Sequence, residues 1–148
     1  MYKSIRCFAL GGSAVVASVL AIAVTSVAAK TVETYKNVAT GLCLHSNASP
    51  NVYTQSCNGG NYQKWLVTLV GSNRTLKNVA TGLCLESNAS RNVYTQSCNG
   101  SSYQKWTAIR GSSYITLKNI ASGLCLESNA LRDVYTQSCN GGSYQKWR

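Results

Sequence analysis

Six of the seven cysteines in this 148-residue chain stand in three pairs, Cys43 with Cys57, Cys84 with Cys98 and Cys125 with Cys139, each pair 14 residues apart. Thiols can ligate a metal or oxidise to a bridge. Pairs at that separation with no companion histidine do not match zinc-ligand spacing. Three equivalent pairs predict three disulfides, each closed within its own unit, because identical units call for identical local solutions. Loops of this size are worth about 3 kcal/mol each in the chain-entropy model. Groups for proton chemistry are scarce: Asp and Glu number four, and His45 is the one histidine. That set supplies a paired acid and base poorly. Glu86 and Glu127 occupy equivalent points of different units, whereas the two carboxyls of a glycosidase lie about 5 to 10 Å apart. These residues argue against an enzyme, a metal and a cofactor, and leave binding as the class of function.

The elements that must position these residues recur with a period of 41. Asn37-Val38-Ala39-Thr40-Gly41-Leu42-Cys43-Leu44 returns as Asn78 to Leu85 and again as Asn119 to Leu126. Val52-Tyr53-Thr54-Gln55-Ser56-Cys57-Asn58 returns as Val93 to Asn99 and Val134 to Asn140, and each unit then carries Tyr-Gln-Lys-Trp, ending at Trp65, Trp106 and Trp147. The units run over approximately 33–73, 74–115 and 116–148. A 41-residue period by itself suits a propeller blade, a helical hairpin or a trefoil leaf. The local pattern chooses: Leu83 and Leu85 flank Cys84, Val93 and Thr95 flank Tyr94, and β-branched and aromatic residues dominate, which is the period of strands. Turn clusters such as Ala-Thr-Gly, Ser-Asn-Ala-Ser and Asn-Gly-Gly separate them too closely for helices of usual length. Three units of four short strands fall below the 4 blades of the smallest typical propeller. The expected fold is an all-β, pseudo-threefold β-trefoil.

Residues 1–29 read as a leader. Lys3 and Arg6 precede an uncharged stretch from Cys7 to Ala29 with an apolar centre at 14–24, and the small residues Ser26, Ala28 and Ala29 suit signal-peptidase cleavage after 28 or 29. An uncleaved anchor is the other use of such a run, since about 20 apolar residues span a bilayer. The expected mature domain is 30–148, secreted and without a membrane span, and export favours oxidised cysteines. Removing Lys3 and Arg6 from the 14 basic residues leaves 12 against 4 acidic, a net charge of +8. Lys36, Lys77 and Lys118, like Lys64, Lys105 and Lys146, repeat with the units, and such an excess attracts acidic polymers as well as serving as a solvated face. The third unit has only Arg148 after Trp147, where the first continues through Leu66 to Val70. A looser junction is expected there, with Thr31 to Tyr35 partly covering it.

Gln63-Lys64-Trp65, Gln104-Lys105-Trp106 and Gln145-Lys146-Trp147, with Gly-Leu-Cys-Leu and the threefold repetition, resemble the ricin B-type lectin family, whose fold is a β-trefoil. The Ser-Asn, Val-Tyr-Thr, Asn-Gly and Tyr-Gln-x-Trp elements look like the repeat of the actinohivin-like lectins, which bind high-mannose glycans. The resemblance covers the mature chain and implies a secreted, non-catalytic carbohydrate-binding protein, its sugar of mannose or galactose type and its partner a glycan or cell-surface polysaccharide. It places one shallow sugar site in each unit: His45, Tyr53, Asn58 and Tyr62; Glu86, Tyr94, Asn99 and Tyr103; Glu127, Tyr135, Asn140 and Tyr144. In the family pattern the first of each set is an Asp accepting from two hydroxyls; here it is Glu twice and His once, and His45 cannot accept as a carboxylate does. Gln55, Gln96 and Gln137 stand where the pattern has Leu, making the pocket more polar. The asparagines, each before a glycine, also suit a tight turn, and the three tryptophans suit the core. A secreted trefoil that binds anionic polymers or inhibits a protease is the alternative for the same fold.

Overall fold

The computed structural model describes residues 28–148; the leader expected at 1–29 lies essentially outside the described residues. Eleven strands follow one another: β1 (Lys30–Glu33), β2 (Cys43–Ser46), β3 (Val52–Gln55), β4 (Trp65–Val70), β5 (Asn73–Asn78), β6 (Cys84–Ser87), β7 (Val93–Gln96), β8 (Trp106–Arg110), β9 (Ile115–Asn119), β10 (Cys125–Ser128) and β11 (Val134–Gln137). One-turn 3-10 helices at Asn61–Gln63, Ser102–Gln104 and Ser143–Gln145 carry the tyrosine and glutamine before each tryptophan. Among the described residues no helix is long and apolar enough to cross a membrane.

The wall of the barrel is antiparallel, β1 against β4, β4 against β5, β5 against β8 and β8 against β9. Each tryptophan is a threefold mark in this wall. Trp65 pairs with Glu33 and Asn78, Trp106 with Arg74 and Asn119, and Trp147 with Ile115 and Asn37. All three indoles are fully buried, packed with Leu44, Leu85, Leu126, Leu76 and Leu117. Each also donates its N–H to a leucine carbonyl 21 residues earlier, at 3.3, 3.1 and 3.2 Å. Core and pairing are thus served by one residue type, as the tryptophan spacing implied. Tyr35 takes the position held by Leu76 and Leu117 in the other units. Its hydroxyl donates to Glu33 at 2.7 Å, and Glu33 in turn accepts from Arg74.

The hairpins β2–β3, β6–β7 and β10–β11, four registered pairs each, meet around the axis at one end. Their inward residues include hydroxyls, which bond in a ring: Ser46 with Thr95 at 3.2 Å, Ser87 with Thr136 at 2.9 Å and Ser128 with Thr54 at 3.1 Å. The tips interlock through backbone as well. The amides of Thr95, Thr136 and Thr54 donate to the carbonyls of Pro50, Arg91 and Arg132, each in the preceding unit around the ring. Every unit therefore borrows its tip contact from a neighbour.

The disulfides Cys43–Cys57, Cys84–Cys98 and Cys125–Cys139 close within their units as expected. The third junction differs from the other two. Six residue pairs join β4 to β5 and five join β8 to β9, whereas the ring closes through Trp147 and a reciprocal backbone pair between Lys36 and Arg148. A cavity of about 500 Å³ opens there, lined among others by Glu33, Tyr35, Arg74, Tyr114, Ile115 and Arg148. The cover is made by Tyr35 to Asn37. Thr31 to Glu33, expected to help, pair with β4 through Val67 to Trp65, and Glu33 lines the cavity.

Candidate functional site

In the second unit β6 and β7 run antiparallel with Glu86 opposite Tyr94. Alternation buries Leu85 and Thr95 and turns the Glu86 and Tyr94 side chains to the outer face. The Tyr94 hydroxyl donates to Glu86 Oε1 at 2.8 Å, and Gln104 Nε2 donates to Glu86 Oε2 at 2.8 Å. The third unit repeats this with Tyr135 on Glu127 Oε1 at 2.8 Å and Gln145 on Glu127 Oε2 at 2.7 Å. Each carboxylate oxygen accepts one internal bond and keeps a lone pair for an outside donor. The tyrosines stay protonated as donors: the bond to Glu86, then burial, raises the Tyr94 pKa, and burial, then the bond to Glu127, pushes Tyr135 up to about 12.

The loop carrying the asparagine is tied to the same glutamine. The Asn99 amide donates to Gln104 Oε1 at 2.9 Å while Gln104 Nε2 also donates to the Ser97 carbonyl. Asn99 Oδ1 accepts from the Ser101 amide at 2.9 Å, and the chain then needs the positive φ of Gly100, 71°, to turn. Asn58 and Asn140 do the same in their units. These asparagines thus serve the turn, each Oδ1 accepting one backbone bond in it. Tyr103 and Tyr144, about 40% exposed, sit on the 3-10 turns, which are held by Asn119 and Asn37 donating to the Tyr103 and Tyr144 carbonyls at 2.8 Å. A carboxylate, a phenol, an amide loop and an exposed aromatic wall come together twice. Gln104 and Gln145 hold each set in place, a role that the Gln-Lys-Trp motif does not announce. Their burial is real, but the second Nε2 proton faces outward to the glutamate.

The first unit departs. His45 lies in β2 and is 7% exposed. Its ring is tilted against Tyr53, centroids 4.8 Å apart, and stacked on Tyr62 at 5.6 Å. Nδ1 has no hydrogen-bond partner among the described residues, and burial lowers the pKa, which favours the neutral ring. Gln63 retains its bonds to Asn58 and Ser56, so the scaffold persists while the imidazole fills the place of the carboxylate. Residues 45, 53 and 62 come together as expected, but as a packed aromatic cluster. Among the described residues no group of three or more metal-ligating side chains occurs.

The family model of the ricin-type β-trefoil lectin domain matches residues 31–147. The chain belongs to that family. In structure this ricin-type chain is similar to the designed threefold-symmetric protein ThreeFoil, at 24% identity and a TM-score of 0.74, covering 79% of this chain and 96% of that one. It is also similar to the haemolytic lectin CEL-III, at 25% identity and a TM-score of 0.69, covering 79% of this chain and 29% of that one. A GlcNAcα1-4Gal-releasing endo-β-galactosidase from Clostridium perfringens matches at 15% identity and a TM-score of 0.73, over 79% of this chain and 31% of that one. The chain thus spans under a third of these last two proteins. The likeness to the galactosidase and to ThreeFoil carries the trefoil fold alone.

Proposed function

We propose that this ricin-type domain is a secreted, non-catalytic lectin with two working glycan sites, at Glu86 and Glu127, and a first unit closed by His45. The observation that carries the reading is the twofold recurrence of a carboxylate fixed by a tyrosine and a buried glutamine beside an exposed tyrosine ring. Pre-aimed acceptors recognise vicinal hydroxyls, and the ring offers an apolar face to the sugar's C–H side. Three disulfides accord with export. A mannose- or galactose-type hexose is the expected ligand, and the longer acid than in the high-mannose pattern shifts the sugar outward by one methylene.

A glycan array with residues 30–148 tests this, run at 50 and 200 mM salt. Binding to neutral glycans should be insensitive to salt, and Glu86→Gln with Glu127→Gln should abolish it; one such change alone should weaken single-site affinity about 10- to 100-fold, the range of a charge-assisted hydrogen bond. Binding confined to polyanions and lost at 200 mM salt would instead support the anionic-polymer reading.

A further inference from the structure

The three outer faces are built from equivalent strands but flanked by different tips, and one tip side chain crosses between units. Arg91, in the second unit, donates from Nη1 to Gln137 Oε1 of the third at 2.8 Å. Gln137 follows Tyr135 by two residues on β11, so both side chains leave the same face, about 7 Å apart along the strand. Asp133 stands two residues the other way, its carboxylate accepting from Asn129 at 3.0 Å. The outer face of β11 therefore runs from an acid at Asp133, through the Tyr135–Glu127 cluster, to a guanidinium at Arg91. The equivalent of Arg91 beside the second unit's face is Pro50, and the equivalent of Asp133 in that unit is Asn92.

Arg91 is exposed, and the described residues contain one salt bridge, between Arg74 and Glu33. One of the guanidinium's five donors is used on Gln137, which aims the group, and the rest remain for a planar oxyanion that an arginine fork can grip with two bonds. The backbone at Arg91 has φ 69°, a left-handed conformation that disfavours a side chain. Arg132 shares that strain, at φ 75°, so strain alone does not distinguish them; the bond to Gln137 does.

We infer that Arg91 forms an acidic-sugar subsite of the third unit, so that the Glu127 site prefers a glycan carrying a uronate carboxylate next to the docked residue while the Glu86 site prefers neutral glycans. This rests on the reading of Glu127 as a sugar site. Glu127 and Asp133 repel an acid placed over or before them, which orients the uronate toward the Arg91 end.

The test uses the Glu86→Gln protein, leaving the Glu127 site, titrated by calorimetry with two matched oligosaccharides that differ only in a galacturonate or a galactose at one position, and with the mannuronate and mannose pair. The uronate member of the pair that binds should be favoured about tenfold. Arg91→Gly should bring the ratio close to one, while Arg132→Gly, with the same loss of charge and the same backbone change, should keep it. Glycine suits the positive φ and retains the carbonyl that receives the Thr136 amide, so both variants preserve the fold. Hexose binding with no uronate preference, or a preference that survives Arg91→Gly, would overturn the subsite alone. Failure of every uronate and hexose probe, in wild type as well, would overturn the sugar-site reading with it.

Discussion

Under the proposed function, a single side chain at residue 45 decides whether the first unit is open. Tyr53 and Gln63 are present in the first unit, and the Asn58 loop is bonded as in the other two, so what is missing is an acceptor for their outward protons. His45→Glu is expected to supply it and to raise the glycan stoichiometry from two to three per chain, measured by calorimetry. The histidine also makes stability depend on pH. Its pKa is lowered in the folded chain by burial, while the unfolded chain keeps about 6.5. The unfolded state then binds more protons below that value, so stability is complete above about pH 6.5 and is lost as the pH falls toward the lowered folded value. His45→Phe removes both the titration and the buried unpartnered Nδ1. Its thermal midpoint should fall less than that of wild type between pH 7 and pH 5, and at pH 7 it should be more stable by about 1 kcal/mol. The burial of His45 was not legible in the sequence, because nothing in Cys-Leu-His-Ser says that rings eight and seventeen residues away will close over it.

The hairpins bring together local and borrowed parts, and the two kinds differ in how plainly the sequence announces them. Strand alternation placed Leu85 and Thr95 inside and Glu86 and Tyr94 outside, and equal cysteine spacing in three units specified the pairing. The cross-unit contacts carried no such signal: Ser87 and Thr136 are ordinary surface types, and only the assembled cap shows their hydroxyls 2.9 Å apart in the interior. The same holds for Gln104, whose bond to Glu86 joins a one-turn helix to a strand 18 residues earlier. Two stability measurements separate these layers. Replacing Cys84 and Cys98 by alanine should destabilise by about 3 kcal/mol, with the sugar site of the second unit weakened because the Asn99 loop loses its tether. Ser87→Ala should destabilise by about 1 to 3 kcal/mol, the cost of leaving a buried hydroxyl short of a partner, and its effect should appear at the interface of the second and third units. Denaturant melts of both variants, with the m-value held constant, check the two magnitudes.

For the molecule as a whole, threefold construction gives a rigid display of outward faces, and the two faces proposed as glycan sites are expected to engage a branched glycan with an avidity about 10² to 10⁴ above that of either site when the branches reach both. That gain depends on the hairpin cap holding the faces apart, and the cap is closed by its own ring of hydroxyl and backbone bonds. The barrel below it is not equally closed. Two of its junctions are ladders of six and five pairs; the third is Trp147, the Lys36–Arg148 pair and a cavity of about 500 Å³. Local opening follows the number of backbone bonds and buried contacts that must break, so fluctuation should concentrate where β1 and the start of β9 border the cavity. Native-state hydrogen exchange is expected to show the amides of Thr31 to Glu33 and Tyr114 to Thr116 exchanging well before those of Thr75 to Lys77, while Leu44, Leu85 and Leu126 in the cap exchange alike. Equal protection at all three junctions would contradict this. The separation matters for binding: the Tyr144 turn is held by Asn37 at this junction, whereas the Tyr103 turn is held by Asn119, so at denaturant concentrations at which the seam exchanges freely the proposed Glu127 site should weaken before the Glu86 site, and divalent binding should be lost while single-site binding persists.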